Sequence, residues 1–136
     1  MKARWGSQVE AVTVVATGAD AGGRGGGKSY ALGLLALRHA EQYGDRARIL
    51  YLRRSYKGLA DFELVCRELF GKVYGTDARY NQAEHVWRLP MGAYFEMGQL
   101  ESHADYTKYQ GRSFTLLLID EAGQFSGPEL LDMMRS

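Results

Sequence analysis

The chain has 136 residues, 46% of them apolar and 24% charged, which is enough apolar side chain for one packed domain and excludes a disordered tail. A formal net charge of +1 excludes a global field for nucleic acid, so any such contact must come from a local patch. The single cysteine, Cys66, excludes an internal disulfide and fits a reducing compartment, and its apolar helical setting marks it as a buried structural thiol. No apolar run approaches the roughly 18 residues of a membrane span. The start, Met1-Lys2-Ala3-Arg4-Trp5, has charge without the apolar stretch of a secretory signal, so a cytoplasmic site of action is expected.

In chain order, Val9 to Thr17 is rich in β-branched residues and runs into a glycine-laden turn, which predicts a buried strand entering a loop. Lys28 to Tyr43 reads as a helix with Leu32, Leu35 and His39 on one stripe and Gly44 as its C-cap. Arg48 to Arg53 is a second short strand. Asp61 reads as the N-cap of a helix in which Phe62, Val65, Cys66, Leu69 and Phe70 recur at helical spacing until Gly71 stops it. Strands at His85 to Leu89 and Ala93 to Met97 flank Pro90-Met91-Gly92, which predicts a β-hairpin. Ser102 to Tyr109 is a short helix, and Phe114 to Ile119 a central parallel strand buried on both faces. Strands alternating with helices give an α/β sandwich with a mainly parallel sheet. His39, His85 and His103 are far apart, without metal-ligand spacing, and read as structural.

Gly22, Gly23, Arg24, Gly25, Gly26, Gly27, Lys28 and Ser29 match G-x-x-x-x-G-K-[ST] between a predicted strand and helix. Glycines permit a tight turn whose backbone N–H groups converge on phosphate oxygens, and the helix N-terminus adds its positive end. Lys28 is expected to reach the β and γ phosphates of ATP, Ser29 to ligate Mg2+, and Tyr30 to border the nucleotide. At the tip of the apolar strand, Asp120 is expected to hold the hydrated magnesium and Glu121 to act as general base. Asp120 lies 92 positions after Lys28, room for an intervening strand and two helices. That spacing favours a P-loop NTPase of the additional-strand ATPase type, a three-layer sandwich, over a compact small-molecule kinase.

The segments GGRGGGKSYALGLLALRHA, ILYLRRSYKGLADFELVCRELFG, EHVWRLPMGAYFEMG and DYTKYQGRSFTLLLIDEAGQF, in that order, resemble the ATPase domain of a tailed-bacteriophage terminase large subunit. The likeness runs from about Gly22 to Phe125. It implies an ATP-hydrolysing motor that packages double-stranded viral DNA into procapsids. The implied partners are the DNA, a terminase small subunit and the capsid portal, with the chain in a homo-oligomeric ring in the host bacterial cytoplasm. By resemblance, Arg24 matches an arginine assigned to γ-phosphate sensing. Arg112 falls where some members place an arginine finger for the neighbouring subunit, although an ordinary surface arginine fits equally. Arg53-Arg54-Ser55-Tyr56-Lys57 resembles a segment near the DNA path, and is either a phosphate contact or a solvated basic turn.

The chain departs from the family's pattern in extent. Ser136 comes fifteen residues after Glu121, so residues 1–136 are expected to form a partial, terminase-like ATPase domain. The coupling strand, lid and C-terminal nuclease domain are then missing and activity in isolation is weak. Trp5 and Gln8 are the candidates for adenine contact, and Gly18 to Ala21 lengthens the approach to the phosphate loop without an evident reason. Two other functions fit the same residues: a different P-loop translocase or helicase, or a truncated prophage remnant that binds nucleotide without turnover.

Overall fold

The computed structural model describes residues 2–4, 11–16, 26–54, 56, 58–121 and 128, with backbone alone for 2–4, 11–16 and 26. Among the described residues, seven strands form one sheet: β1 (Lys2–Arg4), β2 (Ala11–Ala16), β3 (Arg48–Arg53), β4 (Arg79–Asn81), β5 (Val86–Arg88), β6 (Tyr94–Gln99) and β7 (Leu116–Ile119). The α-helices described with them are α1 (Gly26–Tyr43), α2 (Leu59–Tyr74) and α3 (His103–Tyr109). The spatial order is β1-β2-β7-β3-β6-β5-β4.

The four inner strands β2, β7, β3 and β6 run parallel, while β1, β5 and β4 are antiparallel to their neighbours. The sheet is therefore mixed and not mainly parallel as expected. Tight connections such as Leu89 to Ala93 can join only antiparallel neighbours, and they build the β4-β5-β6 side. The expected hairpin is present, closed by Gly92 N–H on the Leu89 carbonyl at 2.9 Å. Its second strand also pairs with β3 from Arg48↔Tyr94 to Arg53↔Gln99, a non-local contact no turn signal reveals. Strands do intervene between the two motifs in sequence, but not in space. Among the described residues β2 and β7 pair directly from Thr13↔Leu116 to Ala16↔Ile119.

One sheet face carries Ile49, Tyr51, Phe95, Met97, Leu116 and Leu118 into the core, against Leu32, Ala36 and Ala40 of α1 and Phe62, Cys66 and Phe70 of α2. The opposite face carries α3, which starts from Ser102 through a capping box with Asp105. β7 is buried at all four positions, as its unbroken apolar run predicted. Cys66 is fully buried, and burial pushes its thiol well above the usual range. His39 on α1 is held by Thr115 Oγ1 at 2.8 Å, and burial lowers its pKa.

The second helix differs from its expected limits at both ends. Gly58, with φ of 92°, precedes its first turn, and Asp61 donates its N–H to the Gly58 carbonyl at 3.2 Å from inside the helix. Gly71 lies within the helix, which ends at Gly75 with φ of 61°. A mid-helix glycine costs only about 1 kcal/mol, and burial of Phe70 against Trp87 and Phe95 carries the helix through it. Among the described residues, no helix is long and apolar enough to cross a membrane.

Gly98 of β6 is where the sheet meets α3. A Cβ there would collide with the Tyr109 hydroxyl and come within 3.0 Å of its ring, and Tyr109 is only 1% exposed, so the ring cannot move aside. Gly98→Ala should therefore lower unfolding stability in urea by about 1–3 kcal/mol. Tyr109→Phe, which removes the nearest atom, should recover part of that loss, and an unchanged midpoint for Gly98→Ala would refute the contact.

Candidate functional site

Parallel pairing brings the carboxyl ends of β2, β3 and β7 to one edge, with Leu52 and Ala16 both level with Ile119. Ligand sites of open α/β sheets lie at that edge. Here β7 gives way to Asp120, wholly buried, whose N–H donates to the Leu52 carbonyl at 2.8 Å. The helix α1 brings Lys28 in its first turn to the same point, with Nζ 3.1 Å from Asp120 Oδ1. Ser29, next in the chain, is buried at 8% exposure, while Tyr30 is exposed. Gly26 and Gly27 form the start of α1.

Two further side chains complete the cluster. The Tyr51 hydroxyl donates to Asp120 Oδ2 at 2.5 Å, and its ring stacks on Phe62 at 4.0 Å. Arg53, the last residue of β3, places Nη1 3.1 Å from Asp120 Oδ2 and Nη2 2.9 Å from Glu121 Oε1, so one guanidinium spans both acids. Gly58 is required at this point, because a Cβ there would stand 2.8 Å from Arg53 Nη2. Burial first, then the charge and hydrogen bond of Asp120, push the Tyr51 phenol far above its usual range. A folded-state pKa above the unfolded one gives stability fully present below the ordinary phenol value of about 10 and lost only as pH rises through the folded value. Burial opposes the charge on Arg53, but Tyr51, Glu121 and Asp120 raise its pKa overall.

Glu121 adopts φ of 56°, the left-handed region that non-glycine residues rarely occupy. Such backbone costs about 1–3 kcal/mol and persists where surroundings impose it. The surroundings here are the Arg53 pair, and the Glu121 side chain is 25% exposed at the mouth of the cluster.

Lys28, Ser29, Asp120 and Glu121 are thus gathered at one edge, as their sequence motifs anticipate. Gly22, Gly23, Arg24 and Gly25 lie outside the described residues, as do Trp5, Gln8 and Gly18 to Ala21. Arg112 is not part of the cluster. It precedes β7, at the end away from Asp120, and its Nη2 is 2.7 Å from Oε1 of buried Glu96 on β6. Arg53 was the residue that sequence reasoning misplaced, since it was grouped with a segment near DNA. Its side chain is only 14% exposed and turns inward to the acids. A basic residue at the end of a strand beside the acid-tipped one was the available signal, but strand adjacency is not written in the local sequence.

The chain is thus an α/β protein with a mixed sheet that gathers a lysine-bearing helix start and two acids at the carboxyl edge of its parallel strands, the edge where ligand sites of open α/β sheets lie. The family model described as "Terminase large subunit, T4likevirus-type, N-terminal" matches residues 21–136, and the chain belongs to that family. Membership points to viral DNA packaging, with DNA as a partner. No curated protein and no solved structure matches the chain.

Tyr51→Phe removes a hydrogen bond from a fully buried carboxylate. It should lower the unfolding free energy by about 1–3 kcal/mol in urea melts, the scale for an unsatisfied buried partner. A loss below about 0.5 kcal/mol, the level of a neutral surface change, would show that Lys28 and Arg53 alone satisfy Asp120.

Proposed function

We propose that the chain is the nucleotide-binding part of an ATP-hydrolysing terminase motor, folded as a P-loop NTPase sandwich, that drives double-stranded viral DNA into procapsids. The observation that carries this reading is the Lys28–Asp120 contact of 3.1 Å beside Glu121 at the carboxyl edge of the sheet. A lysine and a hydroxyl at a helix start, facing a buried carboxylate, form the donor set that magnesium-ATP requires. The chemistry of these donors fits the group: Asp120 now has its charge met by Lys28 and Arg53, cations that a metal ion would relieve.

In this reading Ser29 and Asp120 hold magnesium, which supplies charge neutralisation to the phosphates when bound. Lys28 turns from Asp120 to the β and γ phosphates, a reorientation within reach of a flexible four-carbon stem. The backbone N–H groups of Gly22 to Gly27 cradle the phosphates, Arg24 senses the γ phosphate, and Tyr30 borders the nucleotide. Glu121, partly exposed at the mouth, takes the proton of the attacking water. Arg112 stands at the far end of β7, so it serves a neighbouring subunit of a ring and not its own site. The terminase small subunit and the capsid portal complete the assembly in the host cytoplasm.

Lys28→Ala should abolish magnesium-ATP binding in calorimetry while leaving the circular-dichroism spectrum intact, and retained affinity would remove the lysine from the site. In the motor assembled on its portal, Glu121→Gln should keep ATP affinity and lose about two orders of magnitude or more in turnover, the scale of a general base. Near-normal hydrolysis in that variant would assign the base elsewhere. Arg112→Ala subunits mixed into assembled rings should depress ATP turnover out of proportion to their fraction, since an arginine supplied in trans is worth about a thousandfold or more. A strictly linear decline would exclude a finger acting between subunits.

A further inference from the structure

A second polar cleft, of about 300 Å³, lies among β5, β6 and α3, and is separate from the Asp120 cluster. It is lined by Tyr56, His85, Arg88, Tyr94, Lys108 and Arg112. Register explains how its charges come together: Arg88 and Arg48 both sit directly beside Tyr94 on adjacent strands, and Arg79 sits beside Arg88. The Tyr94 ring has the Arg48 guanidinium 4.6 Å from its centre and that of Arg88 at 5.3 Å, while Arg112 Nη2 is 3.4 Å from its hydroxyl.

Like charges side by side on neighbouring strands repel, so Arg79 beside Arg88 costs stability. Cation–π contact with Tyr94 offsets part of that cost. The facing acids meet the charge of Arg112 but not that of Arg88 or Lys108. Glu96 has Oε1 engaged by Arg112 and Tyr94 and Oε2 by Arg112, and Glu84 is exposed on the neighbouring turn. Among the described residues neither Arg88 nor Lys108 has a carboxylate within ion-pair distance.

The same cleft has an aromatic part. Tyr56 is 42% exposed, and its ring rests against His85 at 5.1 Å with a 32° tilt. His85 is fixed there by Glu63 at 3.0 Å and Tyr80 at 3.2 Å, and it closes the turn between β4 and β5 in a left-handed backbone with φ of 58°. An aromatic platform and unpaired cations lining one cleft of about 300 Å³ suit a base attached to a phosphate.

We propose that this cleft binds a phosphorylated nucleoside, with its phosphate at Arg88 and Lys108 and its base on the Tyr56–His85 platform. The ligand is either a free nucleotide or one unit of a single strand. The test uses the Lys28→Ala chain in EDTA, so binding at the phosphate loop does not contribute and failure of the ATPase reading leaves the result unaffected. Calorimetry should detect AMP, with adenosine and inorganic phosphate each at least about tenfold weaker. Arg88→Ala/Lys108→Ala should weaken AMP by about tenfold or more, as should Tyr56→Ala, which should leave phosphate binding unchanged. A 5′-phosphorylated oligothymidylate of about ten nucleotides that binds more tightly than AMP identifies the strand as source, and equal affinity identifies the free nucleotide. The proposal is overturned if neither AMP nor the oligonucleotide binds, if the double variant binds AMP like its parent, or if inorganic phosphate binds as tightly as AMP.

Discussion

Asp120 is a carboxylate at the end of an apolar strand with no exposed surface, and a charge taken out of water must be met by opposite charge and hydrogen bonds. Three side chains on two elements supply what it needs: Lys28 from α1, Tyr51 within β3 and Arg53 at the end of β3. The buried charge thereby ties the start of the first helix to two neighbouring strands at the carboxyl edge of the sheet. The apolar core could tolerate exchanges of similar volume, but removing one partner here leaves a buried ion exposed to its full desolvation cost.

Arg53 is the economical part of this arrangement. Its guanidinium is planar and presents donors in a fork, so one side chain can hold two carboxylates that point in different directions. A lysine would offer a single point charge and could not span Asp120 and Glu121 in the same way. The requirement extends to Gly58, whose missing side chain makes room for Nη2 and whose positive φ redirects the chain into α2. The position of the second helix is thus coupled to the electrostatics of the acids through Arg53 and Gly58.

What could be read from the sequence follows how local each cause is. β3 matched its expected limits, and the four-residue core of β7 lay within its predicted run, because both are continuous apolar segments bounded by polar residues. The pair Asp120-Glu121 was legible as acids at a strand tip, and Lys28 as the end of a glycine motif. The short strands β1 and β4 were not legible, since Lys2–Arg4 and Arg79–Asn81 are only three residues each, too short for an alternation to register, and depend on their partners for their form. The roles of Arg53 and Tyr51 were hidden for a related reason: each acts on Asp120, 67 and 69 positions away, and only strand adjacency makes them neighbours.

β7 also fixes a geometry that loops could not. Its four residues are buried between two parallel partners, so the chain entering it and the chain leaving it are held at a set separation. The entering side carries Arg112, locked to buried Glu96, and the leaving side carries Asp120, locked to Lys28 and Arg53. A rise of about 3.3 Å per residue makes the strand itself a spacer of roughly 13 Å. Two charged groups held by buried partners at opposite ends of so short and rigid an element cannot serve the same reacting atom. If both act on nucleotide, they must act on different nucleotides, which is a condition that copies of the chain arranged in a ring satisfy and an isolated subunit does not.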